Sequence, residues 1–156
     1  MFKKEFMERA IELSIEKMEA GAGGPFGCVI VKDNEVIAEG WNNVTSSNDP
    51  TAHAEITAIR DACLKLESFQ LTGCEIYTSC EPCPMCLGAI YWSRPDAIYY
   101  ANSREDAASI GFDDEFLYKE IQKPILERDL NTEQHLRETA LHAFELWTQK
   151  SDRVNY

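Results

Sequence analysis

Apolar residues return at spacings of three and four across residues 2–20. Phe6, Met7, Ala10, Ile11 and Met18, with Ser14 among them, predict an amphipathic first helix. Gly21-Ala22-Gly23-Gly24-Pro25 then breaks the periodicity and turns the chain. Gly27–Val31 and Val36–Trp41 read as two strands around Asp33-Asn34, an antiparallel hairpin. Asn43–Pro50 is polar and predicts a loop. Helical spacing resumes over His53–Leu66, with Ile56, Ile59, Ala62 and Cys63 as the expected buried stripe. Cys74–Thr78 predicts a strand, Pro84–Ser93 a helix stopped by Arg94-Pro95, and Ala97–Tyr100 a strand.

The order is therefore αββαβαβ, an α/β arrangement. Strands joined through helices imply parallel crossovers with helices packed on the sheet. Beyond residue 101 the pattern changes. Gly111-Phe112-Asp113-Asp114-Glu115 leads into a short helix and Pro124 interrupts. Asn131–Lys150 predicts a terminal helix with Asn131 as N-cap and Leu136, Ala140, Phe144 and Trp147 along one side.

A length of 156 residues suits one domain, 1–156, and 44% hydrophobic with 27% charged residues reads as globular and soluble. No apolar run approaches the roughly 20 residues of a membrane span. The amphipathic start has no signal-like apolar core, so a cytoplasmic protein is expected. Six cysteines in that setting point to free thiols and metal ligands rather than disulfides. A formal net charge of −12 weighs against nucleic-acid backbones as partners and favours a small, uncharged substrate.

Two short stretches carry the chemistry. Thr51-Ala52-His53-Ala54-Glu55 and Ser79-Cys80-Glu81-Pro82-Cys83-Pro84-Met85-Cys86 supply an imidazole, thiols and a carboxylate. Cys83 and Cys86, three apart on a first helical turn, are expected to grip one ion, and a helix N-terminus favours their thiolates. His53 completes a three-ligand zinc site, and the open fourth position marks a catalytic rather than a structural centre. Zinc would bring the pKa of a water there to about 7. Glu55, roughly 200° around the helix from His53, is free to carry that water's proton. Cys80 leaves an alternative open, a closed four-ligand structural site. Cys28, Cys63 and Cys74 read as small core residues.

H-x-E followed by P-C-x-x-C is a known signature of zinc deaminases. With it, the chain resembles the cytidine-deaminase-like zinc hydrolases. The resemblance narrows to the small bacterial guanine deaminases through Gly23-Gly24-Pro25-Phe26-Gly27, Trp41-Asn42-Asn43, Asn48–Glu55, Ser79–Trp92, Gly111–Asp114 and the terminal Tyr156. It implies a three-layer α/β/α fold with a mixed central sheet. It implies Zn2+ on His53, Cys83 and Cys86, with Glu55 as catalytic proton shuttle. It also implies a substrate-binding set of Phe26, Asn42, Ala54, Trp92, Asp114 and Tyr156 around a purine base. Finally, it implies a homodimer in which a C-terminal segment, 125–156, is exchanged between subunits. From the residues alone, Asn42 also suits a turn, Phe26 and Trp92 suit packing, and Asp114 suits a helix cap.

The reaction expected is hydrolysis of guanine to xanthine and ammonia. Guanosine, cytosine or another aminated heterocycle is the alternative within enzymes. A non-catalytic zinc module is the alternative outside them, and tRNA editing is disfavoured by the charge.

Overall fold

Strand β1 (Gly27–Lys32) presents Cys28 and Ile30 to one side of a sheet and Val29 and Val31 to the other, and each side is covered by helix. In the computed structural model, which describes residues 1–156, the sheet order is β2-β1-β3-β4. β1 pairs antiparallel with β2 (Glu35–Trp41) and with β3 (Cys74–Cys80), whereas β3 pairs parallel with β4 (Ala97–Asn102). The sheet is thus mixed, as expected. β2, β3 and β4 run the same way, so both helical connections between them are parallel crossovers. The β1–β2 turn uses Asp33 and Asn34 at φ 50° and 65°, the left-handed pair of a tight hairpin.

Helix α1 (Lys4–Glu19) covers the face of Val29, Val31 and Tyr77 with Phe6, Met7 and Ala10. Its buried stripe is Phe6, Met7, Ala10, Leu13 and Ser14; Ile11 and Met18, expected inside, are exposed. The cause is a close approach. A Cβ on Gly27 would stand 2.3 Å from the Ala10 carbonyl oxygen and 2.7 Å from the Ser14 nitrogen. That contact centres the helix on Ala10, and Ile11 and Met18 lie roughly 80–100° away at the rim.

After β2 the chain makes one helical turn, α2 (Val44–Ser47), within the predicted loop, ended by Asn48 at φ 52°. The opposite face of the sheet is covered by α3 (Ala54–Lys65) and α4 (Pro84–Ser93), which gives three layers. Ile56 and Ala62 of α3 are buried and Ile59 and Cys63 half-buried, while Ala54 and Ala58 are fully enclosed. The alanines at spacings of four have a reason. A Cβ on Gly40 of β2 would stand 2.1 Å from the Ala54 carbonyl oxygen and 2.5 Å from the Ala58 nitrogen, so only a smooth helix face lies this close.

A short helix α5 (Arg104–Ser109) follows β4, opened by a capping box between Ser103 and Asp106. The chain divides into two compact units, Met1–Asp114 and Glu115–Tyr156. The second holds α6 (Glu115–Gln122), a 3-10 turn at Ile125–Glu127 after Pro124, and α7 (Arg137–Gln149). α7 does not begin at Asn131. Leu136, at φ 55°, is its N-cap, and upstream side chains bond locally instead: Asn131 Nδ2 donates to Glu133 and Thr132 Oγ1 to the Leu130 carbonyl. The predicted apolar side of this helix, Leu136, Phe144 and Trp147 included, is exposed. No helix is long and apolar enough to cross a membrane.

Candidate active site

His53 and Cys83 occupy equivalent places: each is the extended N-cap residue of its helix, α3 and α4 respectively. Neither side chain caps its own helix. Both turn toward each other instead, joined by Cys86 from the first turn of α4. Pro84 opens that helix, where its missing N–H costs nothing. His53 Nδ1 lies 3.5 Å from the sulfur of Cys83 and 3.5 Å from that of Cys86. The three donor atoms all fall within 4.8 Å of one another.

This spacing fits zinc. Bonds of about 2.0 Å to nitrogen and 2.3 Å to sulfur at a tetrahedral ion set N and S about 3.5 Å apart. The donor chemistry agrees, with one imidazole and two soft thiols. The Cys83 thiol is pulled down to about 4, first by the Cys86 thiol beside it and then by His53 and the Cys86 backbone N–H. The Cys86 thiol is pushed up, first by its bond to Cys83 and then by burial. A divalent cation held between the two sulfurs would favour the ionised form of both. Cys80 is not a fourth donor. It ends β3 with its sulfur directed at the Ser103 carbonyl, 3.6 Å away, and burial lifts its thiol to about 11.

Glu55, in the first turn of α3, is only 6% exposed. Burial pushes its carboxyl above the ordinary range. Its Oε1 accepts from Thr78 Oγ1 at 3.2 Å. A buried carboxyl of raised affinity for protons, in contact with the Cys86 thiol beside the metal site, is suited to carrying protons.

His53, Glu55 and Cys83 open onto a cavity of about 650 Å³ within the first unit, which Phe26, Asn42 and Asp114 also line. Asn42 is buried, and its Oδ1 accepts from the backbone N–H groups of Gly24 and Val44, both at 3.3 Å. Those two donors settle the amide's orientation and leave its NH2 as the group available to a ligand. Asp114 is half-buried. Its carboxyl is raised, first by burial and then by the negative charge of Cys83.

The remaining predicted contacts lie elsewhere. Ala54, the first residue of α3, is fully buried among core residues rather than on the cavity wall. Trp92 is exposed on α4 and does not line the cavity, because its helix turns Cys86 and Ile90 inward. Tyr156 is an exposed residue of the second unit. Conversely, periodicity did not single out Phe112, Glu81 or Arg104, all of which line the cavity. The Glu81 carboxylate accepts from the Arg104 backbone N–H at 3.3 Å, tying the loop after β3 to the start of α5.

A family model described as the cytidine and deoxycytidylate deaminase zinc-binding region matches residues 1–102. Guanine deaminase of Bacillus subtilis strain 168 is 57% identical over 151 residues, 97% of each chain. The X-ray structure of guanine deaminase from Bacillus subtilis superposes with a TM-score of 0.97 at 56% identity, covering 100% of this chain and 99% of that one. A tRNA-specific adenosine deaminase of Aquifex aeolicus is 40% identical over 101 residues, 65% of this chain and 66% of its own.

Proposed function

The chain belongs to the cytidine and deoxycytidylate deaminase zinc-binding family, and on that premise we propose that it hydrolyses guanine to xanthine and ammonia. The convergence of His53, Cys83 and Cys86 beside the buried Glu55, on one cavity, carries this reading. Similarity to a guanine deaminase along 97% of the chain supports the choice of base.

His53, Cys83 and Cys86 would hold a zinc ion, which when bound would lower the pKa of water to about 7 and supply a nucleophile at neutral pH. Glu55 takes one proton from the attacking water as its oxygen bonds to C2 of guanine, and passes that proton to the adjacent ring nitrogen. Glu55 then takes the remaining proton of the new hydroxyl and passes it to the exocyclic amino group. The C2–N bond breaks, C2 becomes a carbonyl carbon, and ammonia leaves xanthine.

Phe26 supplies a flat wall for the purine and Asn42 donates from its amide to a ring or carbonyl acceptor. Asp114 accepts from the N–H edge that guanine presents, a pairing a bare ring nitrogen does not offer. Tyr156 joins the site through a C-terminal segment, 125–156, exchanged between the copies of a homodimer, and Trp92 of α4 helps to recognise the base. The exposed apolar side chains of α7, Phe144 and Trp147 among them, support that exchange. The six free thiols suit the cytoplasm.

Likeness to a tRNA deaminase offers polyanionic RNA as a second substrate class, but a net charge of −12 opposes it. The test is to purify the protein, measure bound metal, and follow ammonia release from guanine, guanosine and cytidine. Release from guanine above the other two is expected. Release from none of them, with one zinc per chain, overturns the reading.

A further inference from the structure

We propose that Thr78 is a positioning residue: its hydroxyl holds Oε1 of Glu55, so that Oε2 is the oxygen that exchanges protons with the reactants. The inference rests on the deaminase reading and deepens it.

Alternate residues of β3 on the side that α3 and α4 cover are Cys74, Ile76, Thr78 and Cys80, and Thr78 is paired across the ladder with Cys28. Thr78 is thus a polar residue set into an apolar stripe, 1% exposed. A hydroxyl placed there needs a partner. The bond it makes is to Glu55 Oε1, at 3.2 Å. Cys28 and Cys80 lie near the carboxyl, and the Cys86 thiol also hydrogen-bonds it, a thiol being a weaker hydrogen-bonding group than a hydroxyl.

The contact is made inside the fold, where solvent does not compete for the hydroxyl, and a hydroxyl both donates and accepts through one oxygen. Anchoring one oxygen also reduces the rotations open to the carboxyl of Glu55, a residue that lines the cavity.

Thr78→Val keeps the shape and removes the hydroxyl, and Thr78→Ser keeps the hydroxyl. For Thr78→Val, kcat on guanine is expected to fall about 10- to 100-fold, the loss of one hydrogen bond to a charged group. KM, the dissociation constant of xanthine by calorimetry and the zinc content are expected to stay within about twofold of wild type. Thr78→Ser is expected to recover most of kcat. A Thr78→Val enzyme turning over within about twofold of wild type overturns the proposal, as does a loss that only tracks lost zinc. A crystal structure of the wild-type zinc enzyme with xanthine tests the geometry even where the valine variant fails to fold. Oε1 on Thr78 with Oε2 facing the ligand supports it, and Thr78 turned away from Glu55 overturns it. Absence of ammonia release by wild type instead overturns the deaminase reading, and leaves the anchoring to be decided by that structure.

Discussion

The ring of Phe112 stands edge-on to that of Phe26, with centroids 4.9 Å apart and planes at 86°. The two rings form one apolar corner of the cavity, and Gly24 makes room for it: a Cβ there would come within 3.0 Å of Phe112 and 3.3 Å of Phe26. Edge-to-face contact fixes the tilt of Phe26, which is the ring proposed to stack on the base. Phe112→Ala is therefore expected to raise KM for guanine by up to about tenfold while kcat changes little, because a stacking wall binds ground and transition states alike. Steady-state kinetics on guanine check this.

Glu55→Gln leaves the metal donors intact and removes the group that moves protons. Zinc content is expected to stay at wild-type level while kcat falls by about 100- to 10,000-fold. Cys83→Ser is expected to lose zinc. Cys80→Ser is expected to keep it, since Cys80 faces the Ser103 carbonyl rather than the donor set. Metal analysis beside kinetics separates an open catalytic site from a closed structural one.

Chelation is expected to abolish turnover and to lower the melting temperature together, because an ion held by His53 and Cys83 would join the N-termini of α3 and α4 and bind the folded form. Added zinc restores both. Calorimetry with and without a chelator, repeated after zinc is returned, is the measurement.

Gly40→Ala places a methyl group against α3 where no space exists, 2.1 Å from the Ala54 carbonyl. The helix has to lift, at a cost of about 1–3 kcal/mol. His53 stands one residue before that point, so zinc affinity is expected to fall with stability. Denaturant melts and a metal competition titration report the two effects separately.

Arg9 grips Glu39 with two hydrogen bonds, Nε to Oε1 at 2.7 Å and Nη2 to Oε2 at 3.0 Å, and holds its carboxyl below the ordinary value of 4.5, chiefly through those bonds. A depressed carboxyl stabilises the fold above its unfolded pKa and loses that contribution as pH falls through the folded one. The pair is about one-third exposed, so Glu39→Gln is expected to lower the melting temperature at pH 7 by only roughly 2–4 °C. The gap between variant and wild type closes as pH drops below 4.5. Thermal melts from pH 7 to pH 3 check the sign.

The zinc donors were legible in the chain because their geometry is local. Cys83 and Cys86 share one helical turn, and His53 needs only a helix start after Pro50. Glu55 followed from its offset to His53. The rotation of α1 was not legible: Ile11 and Leu13 are equally apolar, and what chooses between them is the approach of the helix to Gly27. Nor did helical spacing reveal that Asn131–Leu136 would bond within itself, or that Trp92 would face outward while Cys86 and Ile90 face in.

Taken alone, the amino-acid order determined the αββαβαβ succession of the first unit, the short α2 and α5 apart, and the set of groups placed to grip a metal. Both depend on residues near one another along the chain, where backbone geometry leaves little choice. Folding in three dimensions decided which of the many apolar and polar side chains share a cavity. It placed Thr78 on Glu55 and Phe112 on Phe26, across separations of 23 and 86 residues (112 − 26). Such pairings are set by how helices seat on a sheet, and that seating depends on a few close contacts at glycine that no local pattern announces.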